Sequence, residues 1–187
     1  MISNKDRSGW FGASESQYII GNYETKSFKN WWLEKLGLRE NNFTNSAMKT
    51  GSYYEHKILD AVAPYARKDY QILIPELKLR VNLDGDTEDM IYEVKTYNAK
   101  DEFKISPYYK HQLQIQMFAK QIKRAAIISY GLSPEDYRNF FNGIDLTKIN
   151  LHSFNYNERF IKEEFLPKLR YLCDCLEKTV MPKNNKI

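Results

Sequence analysis

Residues 81–95 read VNLDGDTEDMIYEVK. Five carboxylates, Asp84, Asp86, Glu88, Asp89 and Glu93, fall within ten residues, and the stretch closes on a lysine inside an apolar run. MIYEVK, residues 90–95, carries the pattern of a half-buried strand, so Glu93 and Lys95, two apart, point to one face. If that face is the inner one, two charged groups are desolvated side by side, at a cost of several kcal/mol unless something pairs with them. LKLRVNL, residues 77–83, alternates strictly, and DGDTED between the two runs reads as a polar turn.

Outward from this hairpin the elements follow in order. YQILIP, residues 70–75, is a further short strand. Upstream, SESQ places Gln17 three residues after Ser14, a capping-box pattern that opens a helix ended by Gly21. SFKNWWLEKLG is a second helix, with Phe28, Trp31, Trp32, Leu33 and Leu36 as its apolar stripe and Gly37 at its stop. A third opens at Asn45 or Ser46, repeats Ala47, Met48, Gly51, Tyr54, Ile58 and Val62 at helical spacing, and ends at Pro64. Downstream, Ser106 and Pro107 read as N-cap and first residue of a helix carrying HQLQIQM. RAAIISYG is a buried strand and INLHSFNYN an edge strand. ERFIKEEFLPKLRYLCDCLEKTV is a closing helix, kinked or broken near Pro167. The order ααα–βββ–α–β–β–α predicts an α/β (α+β) fold with a central mixed sheet flanked by helices. One domain over residues 1–182 and a loose tail over 183–187 are expected, with the aromatic stretch YRNFFNGIDL, residues 137–146, in the core.

Composition narrows the classes. A 187-residue chain with 42% hydrophobic residues is long and apolar enough to bury a core, which excludes a disordered segment. The net charge of +4 permits a polyanionic partner without identifying one. Cys173 and Cys175 diverge around a helix and cannot easily bridge each other, and no other cysteine completes a zinc or iron–sulfur set. No apolar run reaches membrane-spanning length and MISNKDRSGWFG has no signal core, so a cytoplasmic protein is expected.

Four sets of residues can carry chemistry. Asp84, Glu93 and Lys95, spaced D-x8-E-x-K, can converge across the hairpin; two carboxylates make a hard-oxygen site suited to Mg2+ or Mn2+, and the lysine can hold or deprotonate a water. The bland alternative is a solvated acidic turn with an exposed Glu/Lys pair. Asp86 and Asp89 are rival carboxylates for the second ligand position. Glu55 shares a helical face with Gly51, where a backbone or ligand can approach, or is an ordinary surface glutamate. Gln112 and Gln116 share one stripe, as amides for a phosphate or metal-bound water, or as a plain polar face. Arg7 and Ser14, a bidentate phosphate binder and a helix N-terminus, can form a phosphate pocket, or are a surface arginine and a simple cap. His56, His111 and His152 are isolated from one another.

Taken in order, R-x6-S, G-x3-E, L-D-G, E-V-K and Q-x3-Q-M resemble the YqaJ-type viral recombinase, or lambda exonuclease-like, family of the PD-(D/E)XK nuclease superfamily. GASES, NSAMKTGSYYE, NLDG, YEVK and HQLQIQM carry the likeness, over residues 7–120. Leu83 stands where the superfamily has a proline. The resemblance implies a restriction-endonuclease-like core and a metal-dependent deoxyribonuclease that degrades linear duplex DNA from the 5′ end. It implies Asp84, Glu93, the Val94 backbone carbonyl and Glu55 as metal ligands for two Mg2+ ions, with Mn2+ substituting. Lys95 would act on the water, Gln112 would support it, and Arg7 with Ser14 would grip a terminal 5′-phosphate. It further implies a ring-shaped homotrimer, a single-strand annealing protein as partner, and a phage or prophage origin in a bacterial host. Two other readings stay open: a restriction or repair endonuclease of the same superfamily, and a non-catalytic DNA-binding module on the same fold.

Overall fold

The computed structural model describes residues 7–40 and 46–184. Side chains of residues 46–48 lie outside the description, and with them the expected stripe positions Ala47 and Met48. The elements are β1 (Phe11–Gly12), a 3-10 turn (Ala13–Glu15), α1 (Ser16–Ile20), α2 (Lys26–Lys35), α3 (Ser46–Val62), β2 (Arg67–Ile74), β3 (Leu79–Asp86), β4 (Ile91–Asn98), α4 (Pro107–Lys120), β5 (Arg124–Leu132), α5 (Pro134–Arg138), β6 (Ile149–Asn155), a π-helical segment (Phe160–Phe165) and α6 (Leu166–Glu177). The mixed sheet flanked by helices is the architecture expected. No described helix is long and apolar enough to cross a membrane.

β3 is the pivot of the sheet. β2 pairs antiparallel along its whole length, from Arg67 opposite Asp86 to Ile74 opposite Leu79. The other edge of β3 is shared: β1 pairs parallel with Leu79 and Arg80, and β4 pairs antiparallel with Gly85 and Asp86. Residues 81–84 lie between, where β1 and β4 part. β5 then joins β4 in parallel through the α4 crossover, and β6 closes the edge antiparallel to β5.

The two faces bury different cores. On one, the aromatic stripe of α2, Phe28, Trp31 and Trp32, packs with Phe11, Leu79, Val81, Ile91, Leu113 and the apolar face of α6. On the other, Tyr54, Ile58 and Leu59 of α3 cover Val94, Ile128 and Tyr130. The period-two alternation of β4 therefore sends Glu93 and Lys95 toward α4 and Val94 toward α3.

Several local expectations are corrected. Ser14 does not cap a helix: it lies exposed inside the 3-10 turn, and the Glu15 side chain accepts the Gly12 N–H at 2.8 Å in its place. Asp84, Gly85 and Asp86 belong to β3 rather than to a turn, and the connection begins at Thr87. Of the two outcomes expected at Pro167, a break does not occur: the helix runs on, and the proline falls in the first turn of α6, where the preceding π-helical segment changes register and absorbs the missing N–H. In the aromatic stretch, Tyr137, Phe140 and Ile144 pack on the α3-side core, but Phe141 is 94% exposed. The start of the expected tail is tied down, because the Asn184 side chain accepts the Tyr23 N–H at 2.9 Å. Cys173 and Cys175 are free and buried.

Candidate active site

Ser106 caps α4 by accepting the Tyr109 N–H at 3.2 Å, and Pro107 starts the helix as expected. This anchors α4 so that Gln112 and Gln116, one turn apart, lie over Glu93. Gln112 Nε2 donates to Glu93 Oε1 at 2.7 Å and Gln116 Nε2 to Glu93 Oε2 at 2.6 Å. Lys95 Nζ reaches Glu93 Oε1 at 2.8 Å and Gln112 Oε1 at 3.2 Å. Glu93 is only 4% exposed, which excludes a solvated Glu/Lys pair on a turn. Gln116 is an addition to the expected site, visible in the sequence only as a second amide on the Gln112 stripe.

Asp84 sits in the gap of the β3 edge. The β3–β4 ladder ends at Gly85 and Tyr92, and beyond it the Asp84 carboxylate accepts the Val94 N–H at 2.8 Å in place of a strand partner. That bond fixes the peptide next to Glu93. Glu55 approaches from α3, in the opposite layer. Gly51, one turn earlier, lets that helix lie close to β4: a Cβ there would stand 2.9 Å from Thr96 Oγ1.

The electrostatics tie these groups together. Burial, then the charges of Glu93 and Glu55, holds the Asp84 carboxyl well above the usual carboxylate range. Burial, then Glu93 and Asp69, pushes Glu55 up to about 7, against the opposing pull of Lys95. Burial alone would lower Lys95, but Glu93 and Asp84 outweigh it and the ammonium pKa is raised. Glu55 and Asp84 thus feel the charge of Glu93, and Asp84 that of Glu55, with Lys95 opposing it. Asp84 and Glu93 line one cavity, and Glu55 does not reach its lining. The three carboxylates offer oxygen donors only, the set that suits Mg2+ or Mn2+, and each carboxylate oxygen has about two acceptor directions. Among the described residues, Glu93 Oε2 takes Gln116 alone and so retains an acceptor direction for a cation. Glu55 also lies near His56 and Asp69, with ligand atoms within 4.8 Å of one another.

The rival carboxylates are excluded from this neighbourhood. Asp86 is buried and clamped by Arg67, at 2.9 Å and 3.2 Å, and by Lys120. Asp89 is exposed and pairs with Arg124. The partners come from distant elements, which is why spacing alone leaves these residues as candidates. His111 is half-buried and stacks on Phe160, and His152 bonds Ser129; among the described residues neither joins a group of metal-ligating side chains.

One cavity of about 220 Å3 joins the two halves of the expected site. Asp84, Glu93, Lys95 and Gln112 line one side of it, and Arg7, Gly12, Ser14 and Glu15 the other. Lys35, Arg80 and Asn82, none of them singled out from sequence, complete its walls. A larger groove of about 580 Å3, between β2 and the end of α4, is lined mainly by apolar residues such as Ile72, Leu77, Phe118 and Ile122.

No protein-family model matches the chain, and no curated protein matches it by sequence. Solved structures do. The alkaline exonuclease LHK-Exo from Laribacter hongkongensis, in complex with dAMP, superposes with a TM-score of 0.66 at 20% identity, over 92% of this chain and 94% of that one. A phage-related exonuclease from Haemophilus somnus 129PT superposes with a TM-score of 0.64 at 14% identity, over 90% of this chain and 92% of that one. The chain shares the fold of these exonucleases, the fold that the resemblance implied.

Proposed function

We propose that the protein is a Mg2+-dependent deoxyribonuclease that degrades linear duplex DNA from 5′-phosphorylated ends. The observation that carries this reading is the single cavity into which both the carboxylate–lysine set and the Arg7–Ser14 segment open. The similar structures are exonucleases, one of them holding a nucleoside monophosphate. At their level of identity they establish the fold, and the activity is inferred from the site.

Asp84, Glu93 and Glu55, with the Val94 carbonyl, would hold the cations, two by the resemblance. A divalent cation there supplies charge stabilisation at phosphorus and a more acidic bound water. The chain's own groups do the rest. Lys95, 2.8 Å from Glu93 Oε1 and 3.2 Å from Gln112 Oε1, is placed to hold or activate a water or to donate to a phosphoryl oxygen. Gln112 and Gln116 hold both oxygens of Glu93 and set its orientation. Arg7 offers a planar fork to a terminal phosphate. A ring of three subunits around DNA and a single-strand annealing partner belong to this proposal through the resemblance alone.

The test is digestion of linear duplex DNA with 5′-phosphate or 5′-hydroxyl ends, and of closed circular DNA, in Mg2+ and in EDTA, with Lys95→Ala as control. Mg2+-dependent loss of phosphorylated linear DNA, with circles intact, is expected. Circles cut as fast as linear DNA would replace this reading with an endonuclease. No cutting under either metal would leave a binding module.

A further inference from the structure

Lys35 is the last residue of α2, where a lysine ordinarily points to solvent, yet its side chain is 1% exposed. Its Nζ donates to Glu15 Oε1 at 2.7 Å and to the Arg7 carbonyl at 3.4 Å, and it lies 5.3 Å from the centre of the Trp31 ring. Its own carbonyl accepts the Gly9 N–H at 2.8 Å. The other oxygen of Glu15 accepts the Gly12 N–H. One buried lysine therefore ties down both ends of the segment that runs from Arg7 through β1 into the 3-10 turn bearing Ser14.

Stability alone is a weak reason for this arrangement. A buried ion pair typically contributes little net stability relative to apolar residues of similar volume. Position is the better reason. Arg7, Lys35, Arg80 and Ser14 line the same cavity as Asp84 and Glu93, and Arg7 and Arg80 stand close enough to Lys35 to oppose its charge. The lysine, its charge balanced by Glu15, fixes the segment that brings Arg7 to the cavity.

We propose that Lys35 is a positioning residue for the terminal-phosphate pocket: through Glu15 and the Arg7 carbonyl it holds the gripping segment in place, so selectivity for a phosphorylated DNA end depends on a lysine with almost no access to solvent. The inference rests on the proposed reading of that pocket.

The experiment measures kcat and KM on linear duplexes with 5′-phosphate and 5′-hydroxyl ends for the wild type, Lys35→Met and Glu15→Gln, with thermal melting of each. In Lys35→Met the preference for phosphorylated ends should fall by about 10- to 100-fold, the range for residues that orient a metal's ligands, applied to a residue that orients the phosphate pocket. Most of that loss should lie in KM for the phosphorylated substrate. Glu15→Gln, close to isosteric, should lower the preference in the same sense and stands in if Lys35→Met fails to fold. If the variants lose activity on both ends alike and keep the wild-type preference, Lys35 is only a core residue and the inference is overturned. If the wild type itself does not distinguish the two ends, the pocket reading falls first, before any variant is compared.

Discussion

Glu55→Gln should make the metal-free protein more stable while impairing its activity, and the gain should depend on pH. In the fold the Glu55 carboxyl is raised from its ordinary 4.5 to about 7. Burial is the main cause, with Glu93 and Asp69 adding to it. A raised carboxyl pKa means that the folded state holds a proton which the unfolded chain has released. Stability is therefore undiminished below the unfolded value, falls as pH rises from there to the folded value, and stays reduced above it. The rise from 4.5 to about 7 corresponds to roughly 3 kcal/mol. That is an upper figure, because Glu55 raises Asp84, Glu93 raises both, and their titrations are linked. Glutamine keeps the shape and cannot ionise, so at about pH 8 the variant should gain about 1–3 kcal/mol, or roughly 3–10 °C in Tm. Near pH 4.5 the two proteins should melt together, to within about 1 °C. Adding Mg2+ at the higher pH should raise the wild type more than the variant, because a cation relieves the same repulsion. Melting curves across pH, with EDTA and with Mg2+, measure this. An offset that is the same at every pH, or a variant less stable at pH 8, would refute the account of the carboxylate cluster.

Three further outcomes follow from the same geometry. Gln116→Leu removes the donor on Glu93 Oε2 and should raise the half-saturating Mg2+ concentration for activity by about 10- to 100-fold. Asp86→Asn leaves the Lys120 ammonium without its buried partner and should destabilise the fold by about 3 kcal/mol, while the folded fraction keeps the wild-type Mg2+ dependence; a change in that dependence would return Asp86 to the active site. Lys95→Met should lower turnover by about 10²- to 10⁴-fold with the fold retained by circular dichroism, and Mn2+ should not restore it.

The parts of the site that were legible in the sequence are those fixed by local periodicity. The two-residue spacing of Glu93 and Lys95 on a strand, and the four-residue spacing of Gln112 and Gln116 on a helix, dictate shared faces whatever the tertiary context. The helix–strand order dictates the layers for the same reason. What was not legible depends on partners far along the chain. Asp86 and Asp84 have the same side-chain chemistry and differ only in what meets them: Lys120 and Arg67 for one, the Val94 peptide for the other. Ser14 was misplaced because Glu15, one residue on, competes for the capping role and wins it from a frame two residues earlier. Lys35 reads as a solvated lysine at a helix end, and only the returning N-terminal segment buries it.

The divided edge of β3 has a consequence for the order in which the molecule assembles. β4 follows β3 after a four-residue connection, so the hairpin that brings Asp84 to Val94 forms with little loop-closure entropy. β1 reaches the same edge from 68 residues away, Phe11 meeting Leu79, so its pairing closes a much longer loop at a larger entropic cost. Loop-closure entropy therefore favours forming the carboxylate end of the cavity before the two residues of β1 dock at the Arg7 end. Transient release of β1 opens only one of these ends. Hydrogen exchange should find the Phe11 amide, bonded to the Lys78 carbonyl, exchanging before the Val94 amide, and a chain caught in that opened state would retain its cation-binding groups while losing its hold on a DNA terminus.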